Sequence, residues 1–128
     1  MAIVSFEGLQ IWQKARALTN RIYRATSQPS FSKDFGLIDQ LRRAAVSISS
    51  NIAEGHERGG TREYLHFLSM AKGSSSEVRS QLYVALDQGY MEKAECEQLI
   101  DDFRRLTIMI NNMMRYLKTT SHKGTKYP

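Results

Sequence analysis

The sequence contains one cysteine, two prolines and no long run of apolar side chains among its 128 residues. A single thiol excludes an internal disulfide and a zinc site built from several cysteines. Because prolines are so few, long stretches of the chain are free to form uninterrupted helices. No segment approaches the ~18 apolar residues that a membrane span requires, so we expect no membrane partner.

The compartment is indicated by the thiol and by the first ten residues. Cys96 lies between Glu95 and Glu97, and neighbouring negative charges raise the pKa of a thiol, so we expect it to be unreactive. The segment MAIVSFEGLQ lacks the basic region followed by an apolar region that marks a signal peptide. These features predict a cytoplasmic protein.

The charge balance is basic, with a formal net charge of +5 and a sequence pI near 9.5. A basic surface favours acidic partners such as nucleic acid, and it also serves solubility alone. Charge by itself therefore leaves both interpretations open.

Apolar side chains recur every three or four residues in four segments, which predicts four helices. Ser32 and Thr61 are the predicted N-caps of the second and third helices. Gly55 begins the predicted end of the second helix, Gly59 and Gly60 complete the break, and Gly89 ends the third. The four segments cover about residues 7–26, 32–55, 61–88 and 91–118.

Short loops between long helices force neighbouring helices to be antiparallel. The sequence therefore predicts an all-α protein, an antiparallel up-down-up-down four-helix bundle. We expect residues 1–118 to form a single domain. Residues 119–128 contain lysines and no acid, and we expect them to form a flexible basic tail.

The third helix carries small residues at four-three-four spacing on the face opposite its apolar stripe. A glycine within a helix costs about 1 kcal/mol relative to alanine, which favours a packing role for the one found here. Several large apolar side chains also lie outside the core stripe. A contact with a neighbouring subunit is the favoured interpretation, and sporadic surface residues are the alternative. The small residues are Ser69, Gly73, Ser76 and Ser80.

The second helix has a line of polar side chains that mixes amides, a hydroxyl and a guanidinium. Solvated helix faces usually carry many lysines and glutamates instead, so this mixture suggests groups that find partners in a subunit interface or on a ligand. An ordinary solvated face is the equal alternative. The line consists of Gln40, Arg43, Ser47, Asn51 and Glu54, of which the first four are candidate interface residues.

A basic stripe on the first helix, Lys14, Arg21 and Arg24, is the candidate nucleic-acid contact, with Lys123 and Lys126 of the tail. A merely solvated face is the competing interpretation. The sequence has no zinc finger or aromatic RNA-reading strand pair, so any such binding is expected to depend on shape and charge.

The sequence offers no constellation for catalysis or for a metal. Glu63 and His66 match the Glu-x-x-His pattern of helical di-iron bundles, but that site needs two such pairs and two further glutamates. The serines of the second helix have no paired histidine and acid nearby. We expect no enzymatic activity, no cofactor and no bound metal.

Three stretches together resemble a known family. They are FEGLQIWQKARALTNRIYRAT near the start, QLRRAAVSISSNIAEG at residues 40–55, and the third helix with Glu63-Tyr64, Phe67-Leu68 and AKGSSSE. The chain is similar over most of its length to the four-helix bundle proteins encoded in intervening sequences of bacterial 23S ribosomal RNA genes. It departs from them at SQPSFSKDFG, where a lysine stands in an acidic, proline-containing entry to the second helix.

The resemblance implies a ring-like homopentamer. It also implies a distant relation to the accessory variability proteins of diversity-generating retroelements, which are basic pentameric barrels that bind nucleic acid and a reverse transcriptase. Three hypotheses follow. The first is a homo-oligomeric scaffold that binds nucleic acid, either RNA or DNA. The second is an adaptor for a reverse transcriptase. The third is a self-assembling bundle with no ligand.

Overall fold

Four long helices connected by short turns make up the described part of the chain, residues 5–31 and 33–121 of a computed structural model. Short 3-10 turns precede the first two helices, at Phe6–Gly8 and Pro29–Phe31. No strand occurs among the described residues. The helices are α1 (Gln10–Thr26), α2 (Phe35–Glu57), α3 (Thr61–Asp87) and α4 (Lys93–Ser121).

The helices pack in chain order. α2 makes its main contact with α3, α3 packs in turn against α4, and α1 lies against both α2 and α4. Each helix is antiparallel to the next because the connections are short. The predicted all-α up-down-up-down four-helix bundle is confirmed.

The core is formed by the apolar stripes that the helical periodicity predicts. In α1 the residues Ile11, Ala15, Leu18 and Ile22 are all buried, spaced so that they share one face. The other helices contribute large side chains that are fully buried, including Tyr64 of α3. Burial of each such side chain contributes about 1.5–3 kcal/mol, so the bundle is stabilised mainly by this shared core.

The start of α2 differs from the prediction, because its N-cap is Asp34 and not Ser32. The Asp34 Oδ1 accepts a hydrogen bond of 3.1 Å from the backbone N–H of Leu37. Its Oδ2 accepts another of 3.0 Å from the hydroxyl of Tyr90, in the connection between α3 and α4. The cap therefore also joins two connections at one end of the bundle. Ser32 lies outside the described residues.

Other helix ends differ from the predicted bounds by a few residues. α1 begins at Gln10 because Phe6–Gly8 forms a separate 3-10 turn. Gly60 is the N-cap of α3, so Thr61 is its first residue and not its cap. α4 begins at Lys93 and continues to Ser121, so the predicted tail is helical at its start. Residues 122–128 lie outside the described residues.

Gly55 does not end α2, which continues to Glu57. It is buried where α2 crosses α3, and a Cβ added there would lie 2.7 Å from Cβ of Phe67 and 3.0 Å from Cδ1 of Tyr64. Glycine is required at this position by the close approach of the two helices. The chain direction changes at Gly59, where the break at Gly59 and Gly60 was expected, and the φ of 83° at Gly59 lies in the left-handed region.

We expect Gly55→Ala to lower the free energy of unfolding by about 1–3 kcal/mol, because the added methyl group overpacks the contact with α3. Gly36→Ala, in the first turn of the same helix, is the control. Its Cβ would find no atom nearer than the Asp34 Oδ1 at 3.9 Å. That variant should be unchanged, or up to about 1 kcal/mol more stable. Urea denaturation at one fixed protein concentration measures both, and equal stabilities would contradict the prediction.

Candidate functional site

The polar line of α2 faces α3 and not open solvent alone. The Asn51 Nδ2 donates to the Ser47 carbonyl at 2.8 Å and to its hydroxyl at 3.0 Å. The Ser47 hydroxyl also lies 3.0 Å from that of Ser74 on α3. One end of the line is joined to α3 by a hydrogen bond of 3.4 Å from the Gln81 Nε2 to the Gln40 Oε1. Three members of the line therefore find partners within the same chain.

The other members of the line stay at its outer edge. The side chain of Arg43 is 81% exposed and pairs with Asp39 at 2.9 Å. Glu54 similarly pairs with Arg58 at 2.9 Å. Exposed pairs of this kind contribute about 0.2–1 kcal/mol each, so these groups stay available to another molecule at little cost.

One acceptor in this region has no hydrogen bond. Gln81 is only 8% exposed, and its Oε1 is buried without a partner among the described residues. A depression of about 290 Å³ lies on the same side of the α2–α3 contact. The depression is lined by Gln40, Arg43, Ala44, Ser47 and Glu77.

The small residues of α3 lie on the outer surface of the bundle. Ser69, Gly73, Ser76 and Ser80 are all exposed, and a Cβ added at Gly73 would meet nothing within 4 Å. Three large apolar side chains of the same helix are also exposed, by 45–48%. In the single chain this face therefore has no packing partner that explains its glycine. The apolar side chains are Met70, Tyr83 and Val84.

The basic stripe of α1 lies against acidic residues of α4. Arg21 forms an ion pair with Asp102, which is 9% exposed. Arg24 shares a shallow depression with Arg21 and Glu95. The two acids offset part of the positive charge of the stripe, although Lys14 and Arg24 remain exposed. The other two candidate contacts, Lys123 and Lys126, lie outside the described residues.

The pKa of Asp102 reports the strength of this contact. Burial acts to raise its pKa, but the hydrogen bond and charge of Arg21 act in the opposite direction, supported by Gln98 and the charge of Lys14. The pKa of Asp102 is held below its usual range as a result. Arg21 thus has a structural role that the sequence pattern of α1 does not reveal, since the two residues are 81 positions apart.

Four cations on α3 and α4 were missed by the sequence analysis as a possible site. Lys72 and Arg79 of α3 are partly exposed, and Arg104 and Arg115 of α4 are exposed. The spacing within each helix does indicate a shared face for each pair, because residues seven or eleven positions apart lie on the same side of a helix. Only the contact between α3 and α4 shows that the two pairs lie side by side.

Cys96, the one cysteine of the sequence, is buried. Burial is the main cause of the raised pKa of Cys96, followed by the charges of Glu95 and Glu97. The Cys96 thiol donates to the Leu82 carbonyl at 3.3 Å. Among the described residues, no three histidine, cysteine or carboxylate side chains are grouped to hold a metal ion. No helix in that part of the chain is long and apolar enough to cross a membrane.

These features define the class of protein as a basic all-α four-helix bundle in which the outer face of α3 has no packing partner among the described residues. The family of 23S rRNA-intervening sequence proteins matches residues 7–112, and the chain belongs to this family. A crystal structure of a protein with unknown function from the S23 ribosomal protein family of Bacteroides thetaiotaomicron has the same fold. It superposes with a TM-score of 0.74 at 19% identity, covering 81% of this chain and 97% of that one. No curated protein matches the sequence.

We expect Asp102→Asn to lower the free energy of unfolding by about 1–2 kcal/mol at neutral pH, because Arg21 loses its charge partner in a partly buried site. The pKa of Asp102 is lowered in the folded protein, so its contribution is present at neutral pH. That contribution is lost as pH falls below the unfolded pKa of about 3.9 and through the folded pKa. The variant should therefore lose less stability on acidification than the unmodified protein.

Asp39→Asn is the matched control, since it removes a carboxylate whose pair with Arg43 is well exposed. We expect its effect to stay within about 0.5 kcal/mol. Urea denaturation at pH 7 and at several values below pH 4, where the contribution of Asp102 is lost, measures both variants. Equal losses at pH 7 would show that the pair of Arg21 and Asp102 contributes no more than a surface pair.

Proposed function

We propose that the protein is a non-enzymatic, cytoplasmic homo-oligomer, a ring of five copies, that binds nucleic acid through its basic surface. The observation that carries this proposal is the outer face of α3, where a glycine and three large apolar side chains are exposed in the single chain. The excess of positive charge supports the choice of nucleic acid as ligand.

Assembly is supported by what the α3 face would gain from a neighbour. Gly73 costs about 1 kcal/mol relative to alanine in a helix and has no neighbouring atom to justify it. Small side chains let a second backbone approach closely, and Met70 and Val84 would then be removed from water. The neighbouring α2–α3 contact adds the exposed polar side chains of Gln40 and Arg43. Such a mixture of apolar centre and polar border is typical of subunit contacts.

Nucleic-acid binding is supported by charge and by the family. The net charge of +5 attracts phosphate groups, and several exposed cations have no ion pair among the described residues. The family's description associates its members with intervening sequences of 23S rRNA, which agrees with a role beside nucleic acid. The binding we propose is governed by charge and shape, not by base recognition.

The first experiment measures binding of RNA and DNA by the purified protein across a salt series, with its mass determined by light scattering in the same samples. An oligomer whose affinity falls steeply with salt is the expected result. An oligomer that binds neither nucleic acid would overturn the nucleic-acid function and favour a protein partner, such as a reverse transcriptase. A monomer would contradict the assembly.

We expect Gly73→Leu to dissociate the oligomer, because a large side chain would fill the space that the small face of α3 leaves for a neighbour. In the single chain nothing lies within 4 Å of the new Cβ, so the bundle itself should stay folded. Ala17→Leu is the control, since it places the same side chain on the exposed surface of α1. Light scattering gives the masses and circular dichroism the helix content, and an intact Gly73→Leu assembly would exclude this face.

A further inference from the structure

Two lines of side chains, one on α3 and one on α4, form a continuous surface. On α3, Lys72 and Arg79 are seven residues apart and share a face. On α4, Arg104, Asn111 and Arg115 are spaced by seven and four and also share a face. The Lys72 Nζ donates to the Asn111 Oδ1 at 3.1 Å, which places the two faces side by side. We call the surface with Lys72, Arg79, Arg104 and Arg115 the α3–α4 cationic seam.

The register of the two helices is fixed by buried hydrogen bonds below the seam. The Ser75 hydroxyl donates to the Phe103 carbonyl at 3.1 Å and accepts from the Thr107 hydroxyl at 2.9 Å. Because the helices are antiparallel, Arg79 and Arg104 lie toward one end of the seam, and Lys72 and Arg115 toward the other. From residue 104 to residue 115 a helix rises about 16 Å. The seam therefore presents cations over several helical turns.

Most of the positive charge along the seam is uncompensated. Lys72, Arg79 and Arg115 donate to neutral groups, the amide of Asn111, the hydroxyl of Ser76 and the amide of Asn112. None of these three cations has an ion pair among the described residues. Arg104 pairs with Asp101, but that carboxylate is shared with Arg105 at 3.0 Å. A row of cations with mostly neutral partners creates a net positive potential at the surface.

The basic stripe of α1 provides the contrast. There Arg21 is paired with a largely buried carboxylate, and Glu95 lies beside Arg24. A phosphate that binds Arg21 would compete with the Asp102 carboxylate. A phosphate that binds Lys72 or Arg115 would replace only a hydrogen bond to a neutral amide. Charge complementarity therefore favours the seam over the α1 stripe as the contact for a polyanion.

The chemistry of the seam fits a sugar–phosphate backbone. Lysine, arginine and amide side chains are the groups that contact phosphate and sugar without reading sequence. Binding of single strands usually relies on aromatic side chains on which bases stack, whereas the side chains that define the seam are lysine, arginine and amide. The surface therefore suits the outside of a duplex.

We propose that the α3–α4 cationic seam, and not the basic stripe of α1, binds the sugar–phosphate backbone of a nucleic-acid duplex. This inference rests on the proposed function, because it assigns a place on the molecule to the nucleic-acid contact.

The test compares two variants that each remove three positive charges. The seam variant is Lys72→Gln/Arg104→Gln/Arg115→Gln, which leaves the half-buried Arg79 in place. The α1 variant is Lys14→Gln/Arg16→Gln/Arg24→Gln, which leaves the ion-paired Arg21 in place. The probes are a short RNA duplex and a DNA duplex of the same sequence, titrated at about 50 to 200 mM salt. Because the two variants have the same net charge, a difference in affinity between them must come from where the charges were removed.

We expect the seam variant to bind at least about tenfold more weakly at low salt, with the slope of log affinity against log salt reduced by about 2–3 for each seam that contacts the DNA duplex. The α1 variant should bind nearly as the unmodified protein does. A charge-conserving variant, Lys72→Arg/Arg104→Lys/Arg115→Lys, should retain binding. Light scattering and circular dichroism on all variants separate lost binding from lost assembly or folding.

Two results would overturn the inference in different ways. If the α1 variant loses as much affinity as the seam variant, or more, the seam is not the binding surface, although the protein still binds nucleic acid. If the unmodified protein binds neither duplex at any salt concentration, the proposed function fails, and the seam assignment fails with it.

Discussion

The close contact between α2 and α3 at Gly55 is the constraint on which the rest of the surface depends. With no side chain at that position, Tyr64 and Phe67 of α3 pack directly against the backbone of α2. The approach brings the Ser47 and Ser74 hydroxyls within 3.0 Å of each other and fixes the rotation of α3 about its axis. That rotation turns the small residues of α3 outward and turns Lys72 and Arg79 toward α4. This packing contact therefore helps to set which residues of α3 face outward and which face α4.

The distribution of charge follows from the same arrangement. The four acidic residues of α4 all lie within its first ten positions and Lys118 lies in its last turn, which is the favourable direction for a helix dipole. The first half of α4 lies beside the basic stripe of α1, so Arg21 meets Asp102 there. The second half lies beside Lys72, with only neutral partners between them. The positive charge of the chain is thus offset on one side of α4 and left unbalanced on the other.

The sequence predicted the helices well because each has its own apolar period, and a period depends only on neighbours in the chain. The errors have tertiary causes. Asp34 is the cap of α2 partly because Tyr90, 56 positions away, binds its second oxygen. Gly55 resembles a helix stop in sequence, yet the space it leaves is filled by α3. Partners across helices, such as Asp102 for Arg21, could not be found from spacing within one helix.

The outer face of α3 and the α3–α4 cationic seam are adjacent, and this has a consequence for binding. In the proposed oligomer the outer face of α3 meets a neighbouring copy, so the seam beside it lies near the edge of each subunit contact. Symmetry repeats that edge in every copy, and several seams can then contact one duplex. Linked sites gain affinity without new contacts, because the first bound seam raises the effective concentration of the next. A few cations per subunit are therefore enough for binding by the assembly when a single bundle binds weakly, which ties the nucleic-acid contact to the packing of α3.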